Sequence, residues 1–298
     1  MSGKGKAVCA AMARGAFYAL AALGRPVGGV RPRRLYDVIG RAGWPGEAYR
    51  WHRNRWGDEL WLSPHRHLDR CVLAFGCYDP DLHFALERLL EPGMVCLDVG
   101  ANFGEVTLHM ARLVGSGGAV HAFEPAVLPF TRLSRHVERN ARHHGGCVRC
   151  YPVALSDRGG TIRMATPTEE AENQGLGSIV SAAPSGYATV DVTAQTLDQF
   201  VVEHRLERLD FVKLDIQGAE PLLVRGGLET IRRFRPRIVS EISAADLSAG
   251  GITSRQYCDM FTGLGYRIHR LTRRGVGRRI EAVNDDFEAT NVLFVPPG

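Results

Sequence analysis

The chain carries a series of short, nearly continuous apolar runs separated by longer stretches with helical spacing. The runs lie at 94–99, 120–123, 148–155, 211–216, 237–242, 266–271 and 291–295. The first five are rich in Val, Ile, Leu, Phe and Cys. Runs of that kind mark parallel strands buried on both faces. Between them, 105–114, 130–143, 220–233 and 255–264 read as helices. Strand–helix alternation predicts an α/β fold, a parallel sheet wrapped by helices. Right-handed crossovers then bring the C-terminal ends of the strands to one edge, where ligands bind.

Two regions depart from this alternation. Residues 161–192 are polar and rich in Gly, Ser and Thr, with alternating pieces at 161–164 and 189–192. They read as a β-excursion carrying a long loop, 166–186. A loop of that length in a compact domain is either a functional lid or disordered. As a lid it would offer Asn173 and Ser178 to an acceptor. All four tryptophans fall within 31–70, and 49–62 looks like a hairpin that alternates aromatic with basic residues. Its aromatic faces could stack on sugars or bases. The simpler reading packs alternate tryptophans inward and leaves the arginines in solvent, as any half-buried hairpin would. The expected organisation is therefore an N-terminal extension, 1–70, with a short helix and this hairpin, followed by one domain at 71–298. The basic stretch 267–279 reads as a solvated hairpin turn.

Composition narrows the class. Of 298 residues, 45% are hydrophobic and 23% charged. Fibrous and wholly disordered chains are excluded by these values, and a core of this size needs no disulfides. The net charge of +5 balances 37 Lys and Arg against 32 Asp and Glu, so it does not point to nucleic acid. Seven scattered cysteines suit a reducing, cytoplasmic compartment. The N-terminal apolar stretches are interrupted at Arg14 and Gly15, and neither is long enough to span a membrane. Cys147 and Cys150 form one CxxC behind His143 and His144, without the second pair a zinc site needs, so no metal is expected.

The chemistry concentrates at 94–104. A buried strand ends in Asp98, a glycine-rich turn follows through Gly100, Asn102 and Gly104, and a helix opens near Glu105. Dinucleotide enzymes share this geometry but need Gly where this chain has Asn102 and Glu105. A phosphate at a helix N-terminus also disfavours nearby carboxylates. The turn suits a cationic, phosphate-free ligand, and S-adenosyl-L-methionine fits that description. Asp98 is expected to bind its ammonium directly or through water. Gly100 and Gly104 would let the backbone approach its methionine part, with Asn102 supporting the turn. Glu124, at the end of the second strand and stopped by Pro125, is placed to accept from ribose hydroxyls. Ala154, Ser156 and Asp157, at the expected end of the third strand, would meet adenine. Asp215 and Glu241 end the fourth and fifth strands on the same edge. Asp215 could instead cap the following helix or pair with Lys213, and Glu220 suits a first helical turn.

Taken in order, GCYDP, LDVGANFGEVTL, AFEP, VALSD, TLDQF, DFVKLDIQGAE and NVLFV resemble the FkbM family of S-adenosylmethionine-dependent methyltransferases, over about residues 54–295. Family members often have Glu where this chain has Asp79. The resemblance implies a Rossmann-like, seven-stranded class I methyltransferase sheet whose last strand is antiparallel. It also implies methyl transfer, commonly to an oxygen of a sugar or specialised metabolite. An alcohol needs a base in contact to become a nucleophile, and Asp215 and Glu241 are the candidates. A small-molecule acceptor is expected. An RNA methyltransferase and a non-catalytic cofactor-binding subunit are the alternatives.

Overall fold

The computed structural model describes residues 12, 49–167, 178–179 and 187–298. The expected N-terminal helix, Trp44 and Asn173 lie outside the described residues. Two compact units meet in sequence between Asp79 and Pro80.

In the first unit, β1 (Arg50–Arg53) pairs antiparallel with β2 (Glu59–Leu62), Trp51 opposite Trp61. Asn54 closes the turn: its Oδ1 accepts the Trp56 and Asp58 N–H groups, and its Nδ2 donates to Asp58. Such side-chain acceptance is why Asn favours turns. The buried face of the hairpin is leucine, Leu60 and Leu62, whereas Trp51 and Trp61 are half-buried. The expectation that the tryptophans form the inward face is corrected accordingly; Arg50 and Arg53 are exposed as expected. Helix α1 (His67–Phe75) follows and stops at Gly76 in the left-handed conformation.

The second unit opens with α2 (Pro80–Leu89), a helix the apolar runs did not mark. Then come β3 (Val95–Val99), α3 (Glu105–Val114), β4 (Ala119–Phe123), α4 (Val127–His144) and β5 (Val148–Tyr151). The excursion supplies β6 (Ala154–Leu155), β7 (Gly160–Pro167), β8 (Ser178–Ile179) and β9 (Tyr187–Gln195). The chain continues through α5 (Leu197–Glu203), β10 (Phe211–Leu214), α6 (Glu220–Gly226), α7 (Leu228–Phe234) and β11 (Arg237–Ile242). It ends with α8 (Ala244–Ala249), α9 (Ser254–Thr262), β12 (Arg267–Thr272), β13 (Gly275–Arg279) and β14 (Ala289–Val295).

The main sheet runs β13-β12-β14-β11-β10-β3-β4-β5. Its central strands β11, β10, β3, β4 and β5 are parallel, and β14 enters antiparallel between β11 and β12. This is the seven-stranded sheet with an antiparallel last strand that the sequence resemblance implied, with an eighth strand, β13, added at one edge by the basic hairpin. Side chains alternate between two cores, as strand geometry demands. Leu97, Val99, Val212 and Leu214 join Phe200, Tyr257 and Phe261 on one face. Cys96 and Phe211 join Leu86, Met110 and Val114 on the other.

Two expected elements divide. The run 148–155 is not one strand: Pro152 removes a ladder donor, β5 stops at Tyr151, and β6 pairs with β9 in a separate four-stranded sheet, β6-β9-β7-β8. The helix expected at 220–233 is two helices. A Cβ on Gly226 would lie 2.0 Å from the Ser156 carbonyl oxygen, so the chain needs glycine there and the helix breaks at Gly226-Gly227. Among the described residues, no helix is long and apolar enough to cross a membrane.

Candidate active site

The site is assembled from strand ends in parallel register. Lys213 in β10 stands directly opposite Asp98 in β3, both on the face otherwise lined by Cys96 and Phe211. Each interrupts an apolar face with a charge, and each is buried. Burial of a charge is costly unless it is paired, and here the two meet: Lys213 Nζ lies 3.3 Å from Asp98 Oδ1. The same ammonium donates to the Gly100 carbonyl at 2.8 Å and lies 3.5 Å from Asp215 Oδ2. Burial works against its charge, but Asp98 and Asp215 outweigh burial and hold the ammonium well above the ordinary lysine range.

Asp98 has no exposed surface, and its Oδ2 accepts from the Thr107 hydroxyl at 2.6 Å. The expected direct contact with a ligand ammonium is therefore corrected. Asp98 is committed to Lys213 and to α3, and its influence on a ligand passes through the turn. The glycines are also spent within the protein. A Cβ on Gly100 would sit 1.9 Å from the Asp215 carbonyl oxygen, and one on Gly104 would sit 2.5 Å from Leu133 Cδ1. Both have positive φ, a conformation glycine adopts freely. These bare Cα atoms let the β3 turn close on the β10 turn and on α4. Glu105 also turns away from the site and bonds His83 of α2 at 2.8 Å. Its carboxylate therefore does not oppose a phosphate at the turn, and that part of the argument against a dinucleotide is withdrawn.

Glu124 stands as expected just past β4. Its Oε2 accepts the Asn102 N–H at 2.9 Å and its Oε1 accepts the Ala126 N–H at 2.9 Å. Asn102 reaches it by adopting φ +49°, which Asn tolerates better than most residues. Burial pushes the Glu124 carboxyl up to about 7, against these two backbone bonds. A carboxylate offers about four acceptor positions, so two remain for ligand hydroxyls.

Asp215 follows β10 with 39% of its side chain exposed. Its Oδ1 accepts from Gln217 Nε2 at 3.0 Å, and the same amide reaches Glu241 Oε2 at 3.5 Å. Gln217 has φ +53°, which folds its side chain back across the strand ends. Burial, then the neighbouring Asp215, push the Glu241 carboxyl well above the usual range. Asp215 does not cap α6, whose N-cap is Ala219. Glu220 is in the first turn of α6 as expected, but buried. It accepts the Ile216 N–H at 2.9 Å, and burial pushes its carboxyl up to about 7.

The structure thus gathers Asp98, Gly100, Asn102, Glu124, Asp215 and Glu241 at one edge. Pro125 adjoins Glu124, and Ala154 packs with Ala126 just beyond. Ser156 and Asp157 belong to the chain after β6: the Ser156 N–H donates to Gln195, and Asp157 is exposed. Ser178 lies in β8, its backbone opposite Ala165. Sequence reasoning assigned no part to Gln217 or Thr107, and gave Lys213 only as a pairing partner. The available signal for Lys213 was a charge inside an otherwise apolar strand. Among the described residues no group of three or more His, Cys, Asp or Glu is arranged to hold a metal ion. Carboxylates flank the edge, and its lysine is taken up by Asp98, Asp215 and Gly100. That set of side chains fits an ammonium and vicinal hydroxyls better than a phosphate.

A family model described as Methyltransferase FkbM domain matches residues 98–268, more than half of the chain. The 31-O-demethyl-FK506 methyltransferase FkbM of Streptomyces tacrolimicus is 26% identical over 273 residues, spanning 80% of this chain and 98% of its own. The 2-O-methyltransferase NoeI of Sinorhizobium fredii is 27% identical over 191 residues, 60% of this chain and 76% of its own. A solved structure of the methyltransferase FkbM of Methylobacillus flagellatus KT aligns with a TM-score of 0.42 at 12% identity, covering 97% of this chain and 60% of that one.

Proposed function

The chain belongs to the FkbM methyltransferase family, with S-adenosyl-L-methionine as methyl donor, and on that premise we propose that it methylates a hydroxyl oxygen of a small-molecule acceptor, with Asp215 taking the hydroxyl proton. The donor supplies an activated methyl group on a sulfonium that leaves as a neutral thioether. What remains for the protein is to align the acceptor and accept a proton. Glu124 would hold the ribose hydroxyls, and the Gly100–Gly104 turn, backed by Asp98, would hold the methionine part. Ala154, in the cluster with Ala126, would border the nucleoside. Asp215 would take the hydroxyl proton of the acceptor as its oxygen becomes methylated.

The single observation that carries this reading is the half-exposed Asp215 carboxylate, held by Lys213 and Gln217 beside a protonatable Glu241. It is an acceptor with an opening to solvent, at the edge where the donor's charged groups would also lie. Glu241 stands beside that acceptor, its carboxyl raised by burial and then by the neighbouring Asp215. The two relatives are named for transfer to oxygen, 31-O and 2-O, which supports the same choice of atom here.

The test is Asp215→Asn. A small-molecule extract incubated with the protein and methyl-labelled S-adenosylmethionine should yield a product heavier by one methyl group, stable as an ether. The variant should lower its turnover by about 10²- to 10⁴-fold, the range for loss of a general base. Affinity for the donor, measured calorimetrically, should change little. Equal loss of turnover and affinity would remove Asp215 from proton transfer.

A further inference from the structure

Of the 37 basic residues in this chain, 34 are arginine and three are lysine. Two of the lysines are Lys4 and Lys6; the third is Lys213, at the edge described above. A chain that meets nearly every need for a cation with arginine places a lysine in the buried strand β10. The geometry explains the choice. Three acceptors from three segments converge on one point: Asp98 Oδ1 of β3, the Gly100 carbonyl of the turn and Asp215 Oδ2 after β10. An ammonium has three donors spread about one atom, whereas a guanidinium is a planar fork suited to bidentate partners.

We propose that Lys213 is a positioning residue for Asp215: its ammonium, anchored on Asp98 and the Gly100 carbonyl, fixes the Asp215 carboxylate in place and keeps it ionised for the acceptor's proton. The proposal rests on the reading of Asp215 as proton acceptor. It adds that the acid which sequence reasoning gave to the donor acts on the acceptor side, by seating the lysine. The charged and titratable groups around Asp215 all bear on this balance. Asp98 of β3 pairs with the same Lys213 ammonium, which also acts on Glu124 beyond β4. Glu241 faces it from β11 and Glu220 from α6. Asp246 of α8 lies against Gly218. With so many carboxylates among the described residues at this edge, one ammonium decides where the negative charge resides. An opposite charge at this distance favours the ionised carboxyl by about one to three pH units.

The experiment is a carboxyl-carbon NMR titration of protein labelled at Asp, with the Asp215 signal assigned from the Asp215→Asn variant. In Lys213→Met the Asp215 midpoint should move up by about one to three pH units relative to the parent protein. In the labelled-methyl assay the acid limb of turnover should move up by the same interval, leaving turnover about tenfold to a thousandfold lower at its foot. A role confined to neutralising Asp98 would lower folding stability but leave the Asp215 midpoint where it was, and that result overturns the proposal. Should Lys213→Met fail to fold because Asp98 is stranded, the double variant Asp98→Asn, Lys213→Met removes both buried charges, and the same midpoint is read there. An upward shift in the double variant supports the proposal; an unchanged one overturns it. If the shift occurs while Asp215→Asn keeps full turnover, Lys213 still positions Asp215 and the proton-acceptor reading is what fails.

Discussion

At the end of β4 the Glu124 carboxylate is held by two backbone N–H groups, those of Asn102 and Ala126, whereas at the end of β10 the Asp215 carboxylate is held by the side chains of Lys213 and Gln217. The first carboxylate is buried and the second is 39% exposed. Backbone donors are placed by the fold itself and cannot be substituted away. Side-chain donors can be exchanged one residue at a time. On the proposed reading, the half of the edge that would receive an invariant donor is built from the main chain, and the half that would suit a particular acceptor is built from replaceable parts.

The contact joining the two halves gives the largest expected effect. Gly100→Ala would place a methyl group 1.9 Å from the Asp215 carbonyl oxygen at a positive φ. The turns must separate, and a cost of about 3–5 kcal/mol should lower the melting midpoint by roughly 10 °C and abolish donor binding. Scanning calorimetry with and without S-adenosylmethionine checks both, and a normal melt would mean that the two turns do not touch.

A smaller effect is expected within the backbone-held half alone. Glu124→Gln keeps one acceptor oxygen but turns an amide donor toward a backbone N–H. Donor affinity should fall by about ten- to a hundredfold, the cost of about 1.5–3 kcal/mol for a bond to a charged group, while Asp215 chemistry at saturating donor is spared. Titration calorimetry reads the first and the labelled-methyl assay the second. Loss of turnover at saturation would blur the distinction between the halves.

The smallest effect is a pH dependence of stability. Burial raises Glu220 to about 7 from an ordinary 4.5. The folded chain therefore binds this proton more tightly than the unfolded chain does. Its contribution to stability is complete below about pH 4.5 and is lost as pH rises through about 7. Glu220→Gln keeps an oxygen for the Ile216 N–H and removes the titration. The variant should melt at least as high as the parent at pH 8 and gain nothing at pH 5. A parallel offset at both would show that Glu220 does not titrate in this window.

The same division explains what was legible beforehand. Strands β3, β4, β10 and β11 and helix α3 were readable because unbroken apolar runs admit few alternatives. Glu124 was readable because its place depends on strand register and turn length. The break after Tyr151 was not, since a proline within an apolar run reads as a boundary only once β6 is seen to have another partner in β9. The split at Gly226 was equally hidden, because it depends on Ser156, far away in sequence. Asp98 was located correctly but given the wrong neighbour: the sequence contains Lys213, yet only the register of β3 with β10 sets the two side by side. The orientation of Glu105 toward His83 likewise needed the position of α2.

The excursion through β7 and β9 leaves and returns at neighbouring points, with Gly160 and Ala154 both beside Ala194. Its entry and exit are thus clasped together by their own ladder, independent of how far the chain travels beyond Pro167 and Tyr187. Extending such a segment costs only a slowly growing closure entropy, about 0.6 kcal/mol per doubling. Descent from a common ancestor could lengthen, shorten or recompose this part freely, while the catalytic platform beside it stays unaltered.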